Sequence, residues 1–236
     1  MEEIEDFSDD RNKTWCIHCT RMLATVETNF DHVPTKGVLD LPIPENEPKV
    51  PICKSCNSSF SADEEYFIAL LGCVLSGSVI PEEQTNQKVA NILRSNYKLR
   101  QQIKKARTEC KTTGGDTQVL WKPDQGRIDR VILKNARGHA FFELGEPMLE
   151  PPASVWSAPL SLMNESQRKK LENFEVDEFW PEVGSRMMTR VVAGLDLAGP
   201  WVVVQPQVYR YAVAQAPMRV RTVIREYLAT EVCWDD

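Results

Sequence analysis

The sequence predicts an α+β protein: a small metal-stabilised N-terminal unit, a helical connector, and C-terminal helices with an antiparallel β-sheet. Three observations predict this class. Two Cys-x-x-Cys pairs lie in the first quarter of the chain. Apolar residues recur at helical spacing through most of the segment from residue 61 to residue 140. Four short runs of β-forming residues, separated by turns, follow Trp201.

Composition places the chain among ordinary globular proteins. Its 236 residues are 42% hydrophobic and 26% charged. The N-terminus MEEIEDFSDD has neither the basic nor the apolar region of a signal peptide. The longest apolar run, from Phe67 to Ile80, is too short for a membrane span. We therefore expect a cytoplasmic protein with no membrane partner and with reduced thiols.

The charge distribution excludes a protein that is basic throughout. The net charge is −6, and the first ten residues alone hold six acidic residues and no basic one. The rest of the chain is therefore neutral, so any DNA-binding surface must be local. Residues 1–13 are predicted to be an acidic flexible tail.

The cysteines of the first quarter have the spacing of a structural zinc site. Two Cys-x-x-Cys pairs supply four thiolates, which is the ligand set of a closed site: Cys16, Cys19, Cys53 and Cys56. The surrounding segment 14–60 is rich in proline and has little periodicity, so a metal has to hold it together. His18 remains an alternative ligand. Cys73 fits the apolar face of a helix, and neither Cys110 nor Cys233 has a partner at ligand spacing.

Local patterns place the second cysteine pair between a strand and a helix. Val50 to Ile52 can form a short strand that leads into Cys53. Ser61 to Glu64 has the pattern of a capping box, which predicts a helix that begins after Ser61 and ends near Gly77. Asn57 is then expected just before this helix or in its short first turn.

Residues 81–114 are predicted to form a polar and basic helical connector. The segment contains a cluster of basic residues offset only by Glu109: Lys98, Arg100, Lys104, Lys105, Arg107 and Lys111. Two interpretations remain open, a surface that contacts phosphate and a merely solvated helix face. Gly114-Gly115 is expected to mark a boundary.

Residues 115–236 are predicted to form an α+β domain whose role the sequence does not reveal. Apolar spacing from Ile128 to Ala140 predicts one helix, and residues 165–174 predict another. The β-type runs predict an antiparallel meander; they are Trp201–Gln205, Val208–Ala214, Val220–Arg225 and Tyr227–Cys233. His139, beside Arg137, is either a buried structural histidine or a phosphate contact.

The order of motifs around the cysteines resembles the HNH endonucleases, also called ββα-metal nucleases. The pattern is C16-x-x-C19, then D31-H32, then C53-x-x-C56-N57. It is most similar to the zinc-stapled branch of that family, which includes the phage resolvase that cuts branched DNA. The resemblance covers residues 14–75, within the predicted unit 14–80. It implies a β-hairpin followed by a helix, together gripping one divalent cation.

The resemblance also implies roles for individual residues. Asp31 and Asn57 would hold a catalytic Mg²⁺ or Mn²⁺, and His32 would be the general base. Asn46 is the candidate for the residue that orients this base. The chemistry agrees with these roles, because neutral imidazole accepts a proton near pH 7 and hard cations prefer oxygen ligands.

We therefore expect a metal-dependent endonuclease that hydrolyses DNA phosphodiester bonds. The alternative is a non-catalytic zinc-ribbon module that binds nucleic acid or protein. In either case the C-terminal domain could contact a protein partner or a second copy of the chain.

Overall fold

The computed structural model describes residues 1–111, 114–115, 117–173 and 181–235. These residues form an α+β fold with antiparallel sheets, as the sequence predicts. They divide into two compact units, one made of Met1–Ser59 and Ile132–Asp236 and the other of Phe60–Val131. The predicted segments 14–80 and 81–114 are defined by motif and composition rather than by packing, and they stay a prediction.

A two-stranded hairpin opens the first unit. Strand β1 (Thr28–His32) pairs antiparallel with β2 (Lys49–Cys53), so that Thr28 lies opposite Cys53 and His32 lies opposite Lys49. Strand β2 contains the predicted short strand. Helix α1 (Lys54–Ser76) follows β2 without a loop, which gives the order strand, strand, helix.

Helix α1 begins earlier than predicted. It starts at Lys54 rather than after Ser61, so Asn57 lies in its first turn and the Ser61-Glu64 pattern lies inside the helix. The reason is a cap that the capping-box pattern does not reveal. The Cys53 Sγ accepts a hydrogen bond from the Cys56 amide at 3.4 Å, at the place where a Ser or Asp oxygen usually caps a helix. The helix ends before Gly77, whose φ of 71° suits glycine.

The second unit contains the remainder of α1, two short helices and a hairpin. Helices α2 (Gln87–Ser95) and α3 (Tyr97–Ala106) are both capped by asparagine side chains, and they confirm the predicted helices. A Cβ at Gly72 would lie 2.7 Å from Val89, so this glycine allows α2 to approach α1 closely. Strands β3 (Arg107–Lys111) and β4 (Thr117–Trp121) form a hairpin that was not predicted.

The first unit also holds a six-stranded antiparallel sheet with helices. Part of helix α4 (Gln125–Leu144) belongs to it, with the shorter helices α5 (Glu165–Glu172) and α6 (Arg186–Ala193). The strands are β5 (Ser154–Pro159), β6 (Leu197–Ala198), β7 (Trp201–Gln205), β8 (Tyr209–Gln215), β9 (Met218–Ile224) and β10 (Leu228–Cys233). Their order is β5-β10-β9-β8-β7-β6, so the predicted meander is confirmed and gains one strand at each edge. The predicted helix from residue 165 ends at Glu172, and residue 174 lies outside the described residues.

His139 on α4 is a buried structural residue. Its Nε2 lies 2.9 Å from the Tyr209 hydroxyl, and its ring stacks on Tyr211 with centroids 3.7 Å apart. Burial lowers the pKa of His139 well below its usual value, with help from the charges of Lys134 and Arg190. A histidine enclosed in this way is a core residue rather than a phosphate contact.

The acidic N-terminal residues make specific contacts with the first unit. Ile4 is buried, Asp6 pairs with Arg186 at 3.0 Å, and the Phe7 amide donates to the Gly184 carbonyl at 2.8 Å.

No helix in the described ranges combines the length and apolarity that crossing a bilayer requires.

Candidate metal centre and the adjoining Asp-His pair

The four cysteines of the two Cys-x-x-Cys pairs come together. The sulfurs of Cys16, Cys19, Cys53 and Cys56 all lie within 4.8 Å of one another. The Cys53 Sγ is 3.7 Å from the Cys16 Sγ and 3.6 Å from the Cys19 Sγ. A tetrahedral zinc with bonds of about 2.3 Å requires sulfurs about 3.8 Å apart, whereas a disulfide requires about 2.05 Å. The cluster therefore fits a metal ion such as zinc.

Two different backbone devices position these sulfurs. The first pair lies in a turn, where the Cys16 amide donates to the Arg21 carbonyl and the Thr20 amide to the Cys16 carbonyl. The second pair lies at the junction of β2 and α1, where the Cys53 sulfur caps the helix. Buried apolar side chains pack behind both: Ile17, Val33, Val50, Ile52 and Phe141. Because strand, turn and helix are fixed together, the four thiols are held close.

Arg21 balances the charge of the sulfur cluster. Its Nε lies 3.3 Å from the Cys19 Sγ, its Nη2 lies 3.5 Å from the Cys53 Sγ, and Nη2 also contacts the Ser55 hydroxyl. A zinc ion with four thiolates has a net charge of about −2. A guanidinium in contact with two of the sulfurs offsets part of that charge and orients its ligands.

The thiols differ in acidity before any metal binds. Burial raises the pKa of Cys53, but hydrogen bonds from the Ser55 hydroxyl and the Cys56 amide bring it down to about 6. Burial raises the pKa of Cys16 and of Cys56 above the ordinary value. Metal binding must therefore remove at least the protons of Cys16 and Cys56.

His32 lies at the opposite end of the hairpin, against a buried glutamate. Its Nδ1 is 2.8 Å from the Glu47 Oε1, and 26% of its side chain is exposed. The contact is short but does not meet the geometry of a well-formed hydrogen bond, so it is a close polar contact between the ring and the carboxylate. The other Glu47 oxygen, Oε2, is buried without a hydrogen-bond partner in the described chain. An orphaned carboxylate oxygen of this kind is what a cation or a water would satisfy.

The surroundings of His32 favour its neutral form. Burial lowers the pKa of His32, the Glu47 carboxylate raises it, and the charges of Lys36 and Lys49 lower it again. The net direction is downward, so the imidazole is neutral at pH 7 and one ring nitrogen can accept a proton.

Asp31 is engaged with a lysine from helix α4. Its Oδ1 lies 2.7 Å from the Lys134 Nζ, and both side chains are almost fully buried. The same ammonium donates to the Thr35 hydroxyl at 3.3 Å, and Asn135 accepts hydrogen bonds from the Thr35 amide and hydroxyl. The residues after β1 are thereby fixed to α4 through polar contacts.

The two asparagines take different places. Asn46 is exposed, has a φ of 57°, and donates from its Nδ2 to the Met1 carbonyl at 3.3 Å. The contact with His32 that was expected of Asn46 is made by its neighbour Glu47. Asn57 is half-buried in the first turn of α1, and over the described ranges no hydrogen bond links it to Asp31 or His32.

A cleft of about 470 Å³ lies beside the sulfur cluster. Its lining combines both signs of charge with two hydroxyls of the first helical turn: Arg21, Val26, Glu27, Lys54, Ser55 and Ser58. The Lys54 ammonium lies 2.6 Å from the Glu27 carboxylate, so this lysine is already neutralised. Arg21 and Ser55 already contact the sulfurs, so what the cleft can offer a polar group is chiefly the Ser58 hydroxyl.

Three site residues are not evident from the sequence: Arg21, Glu47 and Lys134. Arg21 follows the first cysteine pair by two positions, and a basic residue next to a predicted thiolate site is a usable signal. Lys134 lies three residues after the buried Val131 on the helix, where a charge on the apolar face is unusual. Glu47 has no such signal, because its burial arises from the folded loop.

Comparison with known proteins adds no relative to this description. No protein-family model matches the chain. No curated protein and no solved structure matches it either.

Proposed function

We propose that this chain is a metal-dependent endonuclease of the HNH type that hydrolyses phosphodiester bonds in DNA. A single observation carries the proposal. The chain forms a hairpin followed at once by a helix, with a four-thiol cluster at their junction and Asp31-His32 at the far end of the hairpin. This is the arrangement that the resemblance of the motifs implies.

In this proposal His32 is the general base. Its side chain is partly exposed, and its surroundings favour the neutral imidazole. With Nδ1 turned to Glu47, the Nε2 is the nitrogen left to take a proton from the attacking water. General base catalysis of this kind typically contributes about 10²–10⁴-fold. Glu47 positions the ring and stabilises the imidazolium that forms.

The thiol cluster is the proposed zinc site, and its role is structural. Four sulfur ligands close the coordination sphere, so no position remains for a substrate or water. The zinc therefore stabilises the hairpin–helix junction and takes no part in the chemistry.

The proposal includes a catalytic cation, which can bind Asp31 only if Lys134 releases that carboxylate. Carboxylate and amide oxygens, here Asp31 and Asn57, suit Mg²⁺ or Mn²⁺ by their donor chemistry. A bound cation would supply charge neutralisation at the phosphate. In the structure the Lys134 ammonium holds the Asp31 carboxylate, so cation binding there requires this lysine to give up its contact.

Plasmid nicking with defined variants tests the enzyme. We expect wild-type protein to nick supercoiled DNA with Mg²⁺ or Mn²⁺, and His32→Ala to lose about 10²–10⁴-fold of the rate. Glu47→Gln keeps the shape but removes the charge, and it should reduce the rate less than His32→Ala. The control is Lys169→Gln, an exposed residue of α5, which should nick like the wild type. Equal nicking by His32→Ala and wild type would reject the enzyme.

A second candidate is a zinc-containing module that binds nucleic acid or protein without cutting. The buried Asp31–Lys134 pair favours it, because that carboxylate is already neutralised by a side chain. The same assay separates the two functions. A binding module gives no metal-dependent nicking, although it shifts DNA or a protein partner on a gel.

A further inference from the structure

One segment of the second unit differs sharply in charge from the rest of the chain. Residues 94–122 contain eight basic and two acidic residues, a net charge of +6. Since the whole chain has a net charge of −6, the remaining residues together have −12. A basic segment within an acidic protein concentrates positive potential on one surface.

Within this segment, five lysines have no side-chain partner among the residues that the structure describes. They are exposed, and their ammonium groups make no ion pair or hydrogen bond with a residue that the structure describes: Lys98, Lys104, Lys105, Lys111 and Lys122. The arginines behave differently. Arg94 contacts Glu82, Arg100 donates to the Val79 carbonyl, and Arg107 pairs with Glu109. The lysines are therefore the charges available to a partner, and they are called the lysine surface below.

The backbone presents three of these lysines on one side of a helix. Leu99 and Ile103 are the buried residues of α3, and Lys98, Lys104 and Lys105 lie on the exposed side. Seven residues separate Lys98 from Lys105, a rise of about 10 Å. Measured along the axis of a DNA duplex, a length of about 10 Å contains about three phosphates of one strand.

The β3–β4 hairpin continues the lysine surface directly from α3. Arg107 follows Ala106 without a loop, and the Lys122 amide donates to the Ala106 carbonyl at 2.8 Å. Lys111 is the last residue of β3, and Lys122 directly follows β4 beside the end of α3. Leu120 on this ribbon is more than half-exposed, and Thr108 and Gln118 are exposed as well. A two-stranded ribbon with so little cover is free to lie against a partner.

We propose that the lysine surface binds the phosphate backbone of duplex DNA. Charge complementarity argues for this occupant, because five exposed ammonium groups without a partner among the described residues match an array of phosphates. Lysine contacts to phosphate carry no sequence information, so binding is independent of sequence. The inference rests on the proposed nuclease function, since duplex DNA is the class of substrate that this function requires.

Duplex DNA fits this surface better than single-stranded DNA. Proteins that bind single strands stack successive bases on aromatic side chains along a basic groove. Here Tyr97 is 68% exposed, while Trp121 is half-buried. The lysine surface therefore provides more ammonium groups for phosphates than aromatic rings on which bases could stack.

The test measures DNA binding by fluorescence anisotropy, with a labelled 30-base-pair duplex and no added Mg²⁺ or Mn²⁺, so that no strand is cut and no chelator removes a metal held by the thiol cluster. Five phosphate contacts give a slope of log K against log salt of about −4.5. Raising the salt from 50 to 200 mM should therefore weaken wild-type binding by about 500-fold. Lys104→Gln/Lys105→Gln should reduce the slope by about 2 and weaken binding at least tenfold at the lower salt.

A matched pair of lysines serves as the control. Lys169 and Lys170 are also exposed neighbours in the last turn of a helix, α5, so Lys169→Gln/Lys170→Gln removes the same charge in the same context. This control should leave affinity and slope unchanged. Equal loss in the two double variants, absence of wild-type binding, or tighter binding of the single-stranded 30-mer would overturn the proposal.

Failure here and failure of the nuclease can be told apart. Binding is judged without added Mg²⁺ or Mn²⁺ by the two lysine pairs, whereas catalysis is judged with Mg²⁺ or Mn²⁺ by His32→Ala. Nicking that persists with unchanged binding in Lys104→Gln/Lys105→Gln rejects the surface but keeps the enzyme. Weaker DNA binding by Lys104→Gln/Lys105→Gln, together with equal nicking by His32→Ala and wild type, keeps the surface and rejects the enzyme.

Discussion

The two ends of the β1–β2 hairpin are stabilised in different ways. At one end Cys53 lies opposite Thr28, and its sulfur forms a cluster with the sulfurs of three other cysteines. At the other end His32 lies opposite Lys49, and buried charged groups replace the sulfurs: Asp31, Glu47 and Lys134. Four residue steps of a strand, about 13 Å, separate the two ends.

The difference lies in where the partners come from. At the cysteine end, the four sulfurs come from two Cys-x-x-Cys motifs within the first 56 residues. The spacing of these motifs is enough to predict a metal site. The Asp-His end depends on helix α4, about 100 residues further along the chain. Loss of the metal should therefore unfold the cysteine end, whereas removal of a single buried charge should destabilise the Asp-His end.

Removal of one thiol should have the largest effect. Cys53→Ser deletes a ligand, whereas the serine oxygen can still cap α1, so the variant isolates the loss of the metal site. Structural zinc contributes about 10–16 kcal/mol in apparent terms, which rivals the whole stability of a domain. We expect the purified variant to lack zinc and the N-terminal hairpin to unfold, as measured by elemental analysis and circular dichroism. Cys110→Ser, outside the cluster, is the control and should keep its zinc. A zinc content and spectrum equal to wild type would contradict the structural site.

Loss of the buried lysine should have the next largest effect. Lys134→Met leaves the Asp31 carboxylate buried without its partner, which typically costs about 3–5 kcal/mol. Urea unfolding measures the loss. The matched control is Lys54→Met, which breaks the exposed pair with Glu27 and should cost less than about 1 kcal/mol. Similar losses in the two variants would show that burial of the pair is unimportant.

The same variant examines the proposed cation. In Lys134→Met the carboxylate of Asp31 is released, so Mn²⁺ should restore part of the lost stability by binding the folded state. The double variant Asp31→Asn/Lys134→Met should unfold at the same urea concentration with and without Mn²⁺. Equal responses of the single and double variants to Mn²⁺ would remove Asp31 from the list of ligands.

The contrast also explains how much of the molecule the sequence can predict. The α+β class, the meander and the four-thiol cluster follow from local spacing, and the structure bears them out. The predicted start of α1, after Ser61, was wrong because the helix is capped by the sulfur of Cys53 rather than by a hydroxyl. The β3–β4 hairpin was missed because Arg107 and Lys111 extend the basic pattern of α3 beyond its end. Glu47 and Lys134 act through tertiary contacts that no local pattern encodes.

A pH dependence of stability should follow from His139, another group whose partners lie far away in sequence. Its pKa in the folded protein is far below the usual value because of burial and of the charges of Lys134 and Arg190. The unfolded chain binds a proton below about pH 6.5 and the folded chain does not, so acid favours unfolding. Between pH 7 and 5.5 this histidine should cost about 1 kcal/mol.

Urea unfolding of wild type and His139→Phe at the two pH values measures that contribution. The variant loses the contact with Tyr209, so its absolute stability falls, but the comparison concerns only the change with pH. We expect the pH-dependent loss to shrink by about 1 kcal/mol in the variant. An unchanged dependence would mean that His139 titrates normally in the folded protein.

The smallest effect should come from Asn46, and it decides between two roles for that residue. A φ of 57° is easy for glycine and costs other residues about 1–2 kcal/mol, less for asparagine. If Asn46 serves the backbone, Asn46→Gly should change stability by less than about 0.5 kcal/mol and leave nicking intact, while Asn46→Ala should cost about 1 kcal/mol. If it orients His32, both variants should lose activity equally. Because Glu47 already occupies the contact with His32, we expect the first outcome, with Glu47→Gln as the variant that slows nicking.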